Sequence, residues 1–193
     1  MLNQLINEIK MDLINVVSNK RYVHTMGVVE CSRELALKYN ENIDHATISA
    51  LLHDYAKDFN KNDLMQYIDN ENISLDEVLI NAKELLHGKV ASIIARNKYN
   101  INDENILNAI EYHTTGRQNM SRLEKIIYLA DFIEPGRDYK GVEGLRVISK
   151  ESLDRAVLKA LDNTIKYVIW LEKPLHPNTV NARNQLLIEL EIN

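Results

Sequence analysis

A chain of 193 residues, 45% of them hydrophobic and 26% charged, carries enough apolar material for one globular core and reads as a single domain. Its formal net charge of −5 gives no global attraction to nucleic acid or to an anionic membrane, so an anionic ligand has to be met by a local basic patch. The single cysteine, Cys31, excludes an intrachain disulfide framework and a thiolate zinc cluster.

The N-terminal stripe Leu2, Leu5, Ile6, Ile9, Leu13, Val16 predicts a packing helix over 1–18. Asn3, Asn7, Glu8 and Asp12 interrupt that stretch where a signal peptide would need an apolar run. No uninterrupted apolar segment reaches the roughly 18–20 residues that span a bilayer. A cytoplasmic location is the expectation.

Helices follow over Tyr22–Tyr39, from an N-cap at Asp44 to Lys57, and from Asn62 or Asp63 onward. Ser74 with Glu77 has the spacing of a capping box. Further helices are expected over Ala82–Asn97, Asp103–His113, Ser121–Ile133, Glu151–Leu171 and Thr179–Leu190, with a loop around Gly141 and Gly144. The fold class is all-α, with the N-terminal helix and the C-terminal helices over 151–192 packing on a central bundle.

Six polar residues fall where these helical patterns call for apolar ones. His24 shares a stripe with Val28, Cys31 and Leu35, and His87 shares one with Ala91 and Ile94. Ile106, Ile110 and His113 form a third stripe, and Leu123, Ile127 and Asp131 a fourth. His53 and Asp54 sit together one turn after Ala50. Each such group loses hydration when buried unless it is paired or bound to a metal, at a cost of about 1–3 kcal/mol. One shared site explains all six at once.

Four histidines and two aspartates exceed what one tetrahedral ion needs, which favours two metal ions. All-nitrogen and oxygen ligation suits iron, manganese, cobalt or zinc without choosing among them. Two such ions would lower the pKa of a bridging water and clamp a phosphoryl group.

The order H…HD…H…H…D, carried by His24, His53-Asp54, His87, His113 and Asp131, resembles the HD-domain superfamily of metal-dependent phosphohydrolases. Leu51–Lys57 (LLHDYAK), Glu111–Gly116 (EYHTTG) and Tyr128–Arg137 (YLADFIEPGR) are similar to the corresponding strings of the YqeK family, over about Asn19–Asn184. That resemblance implies an all-α HD helical bundle, a di-iron centre on the six residues with Asp54 as the bridge, and a symmetrical bis(5′-nucleosyl)-tetraphosphatase activity. The implied substrate is a dinucleoside polyphosphate, diadenosine tetraphosphate, cut into two ADP by a metal-activated water, with ADP or GDP as product-like ligands. Nucleic acid and membrane are not expected partners; the exposed stripes leave room for a homodimer.

Around the ligands, His53 and Asp54 are the expected catalytic pair. Lys57, one turn beyond them, suits a phosphate contact or a general acid. Thr114, Thr115 and Gly116 directly follow His113 and could bind phosphate or turn the chain. Arg137, close to Asp131, suits a bidentate phosphate contact, with Arg117, Lys140 and Arg146 as weaker candidates. Arg183, in Thr179–Asn184, reads as part of a helix start, while His45, His176 and Cys31 read as structural or solvated. The same ligand set is open to a nucleotidase acting on another nucleotide, to a metal- and nucleotide-binding regulatory domain without turnover, and more remotely to oxidative di-iron chemistry.

Overall fold

The computed structural model describes residues 2–192. Among them the chain forms eleven α-helices and no strand: α1 (Leu2–Val16), α2 (Asn19–Lys38), α3 (Ile43–Leu52), α4 (Lys61–Asn70), α5 (Glu77–Asn81), α6 (Leu86–Tyr99), α7 (Glu104–Glu111), α8 (Arg122–Ile133), α9 (Val142–Glu151), α10 (Leu153–Trp170) and α11 (Pro177–Ile192). A single 3₁₀ turn, Lys83–Leu85, leads into α6. No helix among the described residues is long and apolar enough to cross a membrane.

The centre of the bundle is α3, which is buried from Ala46 through Leu52 and is covered by α1, α2, α7 and α8. A helix surrounded on all sides has no polar face, and α3 accordingly carries Ala, Ile, Leu, Thr and Ser rather than charges over that stretch. The α1 stripe buries Ile6, Ile9 and Leu13 against α3 and α2. Helix α6 pairs with α7, α7 with α8, and α10 lies across α8, α9 and α11. Local chemistry sets many of the ends. Ser18, Asn42, Asn60, Asp76, Asp103, Ser121 and Ser152 each accept backbone N–H bonds at a helix start, and Ser121 with Glu124 forms a full capping box.

Four sequence expectations are corrected. Asn42 rather than Asp44 caps α3, because its side chain accepts from the amides of both Asp44 and His45. Helix α3 stops at Leu52 rather than reaching Lys57; beyond it the backbone tightens into three-residue turns, Tyr55 N–H to Leu52 O, Lys57 N–H to Asp54 O and Phe59 N–H to Ala56 O. Asp76, not Ser74, caps α5. The expected loop around Gly141 and Gly144 is helix α9, which buries Val142, Leu145 and Ser149 on one side and starts from Gly141 at φ +100°.

Candidate metal centre

The bundle brings all six polar exceptions into one cluster. His24 comes from the first third of α2, His53 and Asp54 from the turns after α3, His87 from the start of α6, His113 from just beyond α7 and Asp131 from α8. His53, Asp54, His87 and His113 are at most 3% exposed. Close packing is needed to get them there. A Cβ on Gly88 would stand 2.6 Å from the Glu111 carbonyl oxygen and 3.3 Å from the His113 ring, so glycine lets α6 approach the end of α7 and sets His87 against His113.

Every imidazole is held from behind. Nδ1 of His53 lies 2.7 Å from the Ala50 carbonyl oxygen, that of His113 2.7 Å from Ile110 O, and that of His87 2.6 Å from Glu84 O. For His24 the partner is a carboxylate, Glu134 Oε1, at 3.1 Å. Acceptors on Nδ1 fix the proton there and leave Nε2 as a lone pair facing inward. The inner nitrogens then face one another across short distances. His87 Nε2 and His113 Nε2 are 3.0 Å apart, and the buried Nε2 of His53 has no hydrogen-bond partner. A cation is what such a set of inward lone pairs and carboxylate oxygens accommodates.

Asp54 stands in the middle. Its Oδ1 is 3.0 Å from His87 Nε2 and 3.5 Å from His113 Nε2, while Oδ2 is 3.6 Å from both His24 Nε2 and His53 Nε2. Asp131 Oδ1 adds a second carboxylate 3.0 Å from His24 Nε2. Two overlapping trios of donor atoms, His24–His53–Asp131 and His53–Asp54–His113, each fall within 4.8 Å of one another. The nitrogen and oxygen donors, their burial and their anchored backs all fit a metal site.

Burial and charge set the protonation states. Burial pushes the pKa of His53 and of His87 down to about 4, so both are neutral bases at neutral pH. Burial also pulls on His24, but Asp131 and Glu134 beside it outweigh that and the net shift is upward. Asp54 and Asp131 are held well below the usual carboxylate range: burial opposes ionisation, and the surrounding imidazoles, with Arg137 at Asp131, overcome it. Lys57 is lowered by burial against the pull of Asp54 and Asp131.

The expected substrate contacts divide. Lys57 Nζ approaches the His87 ring, 3.3 Å from Nε2 and 3.5 Å from Nδ1. Arg137 pairs with the Asp131 carboxylate and donates through Nε to the Asp131 carbonyl at 2.7 Å. The Oγ1 of Thr114 is buried without a partner, whereas Thr115 bonds to the Gly116 carbonyl at 2.9 Å and Gly116, at φ +62°, makes the turn.

Arg117 and Arg146 have partners outside the cluster. Arg117 grips Glu124 through two bonds of 2.5 and 3.0 Å and lies over the Tyr112 ring. Arg146 ties the end of α8 together by donating to the carbonyls of Ile133, Glu134 and Arg137, and it pairs with Glu143. His176, 3.0 Å from Asp76, and the buried Cys31 lie outside the cluster, as does His45, 3.8 Å from Asp103.

Two residues that touch the cluster were not anticipated from the sequence. Arg21 reaches Asp54 Oδ2 at 2.5 Å, and Glu134 holds His24 from behind while accepting the Gly136 N–H at 2.5 Å. Both stand one helical turn from a ligand, Arg21 three residues before His24 and Glu134 three after Asp131, and that spacing was a readable signal.

An all-helical bundle that gathers imidazoles and carboxylates from five separated segments defines a metal-dependent hydrolase of the HD class. A family model for the HD domain matches residues 21–136, and the chain belongs to that family. Its relatives narrow the group. Over 173 residues, 90% of this chain and 92% of the relative, it is 42% identical to a Halalkalibacterium halodurans protein named bis(5′-nucleosyl)-tetraphosphatase, symmetrical. A Bacillus subtilis protein of the same name is 36% identical over 89% of this chain and 91% of its own length. A Clostridium acetobutylicum crystal structure, described as an HD superfamily hydrolase involved in NAD metabolism, superposes with a TM-score of 0.92 at 46% identity, covering 95% of this chain and 97% of that one.

Proposed function

We propose that the chain hydrolyses dinucleoside tetraphosphates, diadenosine tetraphosphate above all, at the central bridge to release two nucleoside diphosphates. The observation that carries this reading is the cluster of four histidines, each with Nδ1 anchored outward and Nε2 turned toward the carboxylates of Asp54 and Asp131. The substrate follows from the names of the two relatives that match nearly the whole chain.

His24, His53, Asp54, His87, His113 and Asp131 would together hold the two ions. Iron is the first choice, and manganese, cobalt and zinc suit the same donors. Such ions supply Lewis acidity to the attacked phosphoryl group and activate the water that hydrolyses it.

The protein groups orient and neutralise. Glu84, Ala50 and Ile110 carbonyls and the Glu134 carboxylate keep the imidazoles from rotating. Arg137 beside Asp131 and Lys57 beside His87 place a cation at two edges of the cluster, where negative charge grows on the phosphates. Arg21 neutralises Asp54 and adds a third cation beside the cluster. In the reaction, the water oxygen joins one central phosphorus and gives up a proton to solvent, the P–O bond to the bridging oxygen breaks, and that oxygen leaves with the other diphosphate, its negative charge met by the Lys57 ammonium.

Chromatography of the products from metal-loaded protein and diadenosine tetraphosphate tests the reading. ADP alone is expected. AMP with ATP would place the cut elsewhere, and no turnover would refute the assignment.

A further inference from the structure

A groove of about 1300 Å³ opens at the edge of the metal cluster, where His24, Arg21 and Arg137 line it. It exceeds the roughly 300–1,000 Å³ of a pocket for one small ligand, so it offers room beyond a single nucleotide. Helix α2 forms its floor from Lys20 to Arg33, and α1 contributes Asn3, Asn7 and Lys10. From His24 to Arg33 the helix advances nine residues, about 14 Å at 1.5 Å per residue.

Cations outnumber carboxylates at the metal end of this groove, where Lys10, Lys20, Arg21 and Arg137 face Glu134, and carboxylates outnumber cations farther along, where Glu30 and Asp44 accompany Arg33. Lys20 lies one turn before His24, and the short turn at 17–18 keeps the second half of α1, with Lys10, beside the first half of α2. Neither lysine has a hydrogen bond or ion pair among the described residues; Arg33, at the far end, donates to the neutral Thr47 hydroxyl at 3.0 Å and keeps its charge. Two unpaired ammonium groups therefore join Arg21 and Arg137 near the metal cluster, in a chain whose net charge is −5. Farther along, the floor is apolar at Val29, 5% exposed, and the lining turns to the carboxylates of Glu30 and Asp44. Cations near the reacting centre, then an apolar shelf with hydrogen-bond acceptors, match a nucleoside diphosphate laid with its phosphates inward and its amino-bearing base outward.

We propose that the α2 groove seats the departing nucleoside diphosphate half of a dinucleoside polyphosphate, with Lys10 and Lys20 as its phosphate contacts; this rests on the dinucleotide reading above. The groove would thereby make the enzyme select two-ended substrates over mononucleotides.

The probe is the diadenosine tetraphosphate analogue in which CH₂ replaces the central bridging oxygen, titrated into metal-loaded protein by calorimetry. Lys10→Glu with Lys20→Glu changes exposed or half-buried charges that have no partner to lose, and an unchanged melting temperature verifies the fold. The double variant is expected to bind the analogue at least about tenfold more weakly, the equivalent of losing one charge-assisted contact. Equal affinity of variant and wild type, or no binding to the wild type, overturns the groove assignment. Turnover of diadenosine tetraphosphate by the same wild-type sample is scored separately. A groove-dependent affinity without turnover refutes the activity and leaves the binding site standing; turnover with an insensitive affinity does the reverse.

Discussion

Glu134→Gln is the sharpest test of how the protein prepares its ligands. Glu134 is 3% exposed and meets His24 Nδ1 at 3.1 Å with one oxygen and the Gly136 N–H at 2.5 Å with the other. Glycine at position 27 leaves it room, since a Cβ there would collide with the carboxylate. Glutamine keeps the shape but offers only one acceptor to two donors, so either His24 or Gly136 is left facing an NH₂ group. A buried donor left unsatisfied costs about 1–3 kcal/mol. Loss of an outer partner of a metal-bound histidine typically lowers metal affinity about 10–100-fold, or roughly 1.4–2.8 kcal/mol. The two figures agree. A competitive chelator titration should show one weakened site and one intact site, because His87 and His113 are anchored by backbone carbonyls that the substitution does not touch. Two unchanged sites would refute the view that Glu134 tunes His24, and equal weakening of both would reduce its role to general folding.

Other outcomes follow from the same geometry. Asp54→Asn removes the carboxylate that faces all four imidazoles, so bound metal and turnover should be lost together; metal analysis and product assay on one sample check this, and retained turnover would contradict it. Arg137→Ala should lower kcat/KM about 10–100-fold with metal content intact, as expected for a missing phosphate contact; loss of metal would make the arginine structural. Acid should destabilise the metal-free protein. His53 and His87 sit at about 4 in the fold against 6.5 in the unfolded chain. Between those values the unfolded state binds more protons, so stability falls as pH drops from about 6.5 to 4, by up to about 3 kcal/mol per histidine. The upward shift at His24 acts in the opposite sense, and the lowered Asp54 and Asp131 add their loss below about pH 4. A melting temperature that stays flat from pH 7 to 4.5 would contradict these histidine environments.

Periodicity made much of this legible. The stripes through His24, His87, His113 and Asp131 identify polar side chains on core-facing surfaces, and the structure gathers them into one cluster. It was less informative about His53 and Asp54, which lie in tight turns after α3 rather than on its surface; continuation of an apolar helix and its arrest into i, i+3 bonds look alike in residue type. Helix α9 was hidden because Gly144 within it and Gly141 at its N-cap read as loop, while its buried Val142, Leu145 and Ser149 give only a short stripe. Arg117 and Arg146 are a different case. A guanidinium bound to a neighbouring carboxylate or to helix-end carbonyls carries the same residue type as one waiting for phosphate, and only the fold separates them.

The central claim is that the His/Asp cluster is a two-metal centre that drives symmetrical cleavage. Its most direct test is a titration of metal-free protein with iron(II) under anaerobic conditions, counting bound ions per chain against the rate of ADP formation from diadenosine tetraphosphate. The rate should rise with occupancy and level off at about two ions per chain. Full activity at one ion or fewer, or two bound ions without ADP, would contradict the account.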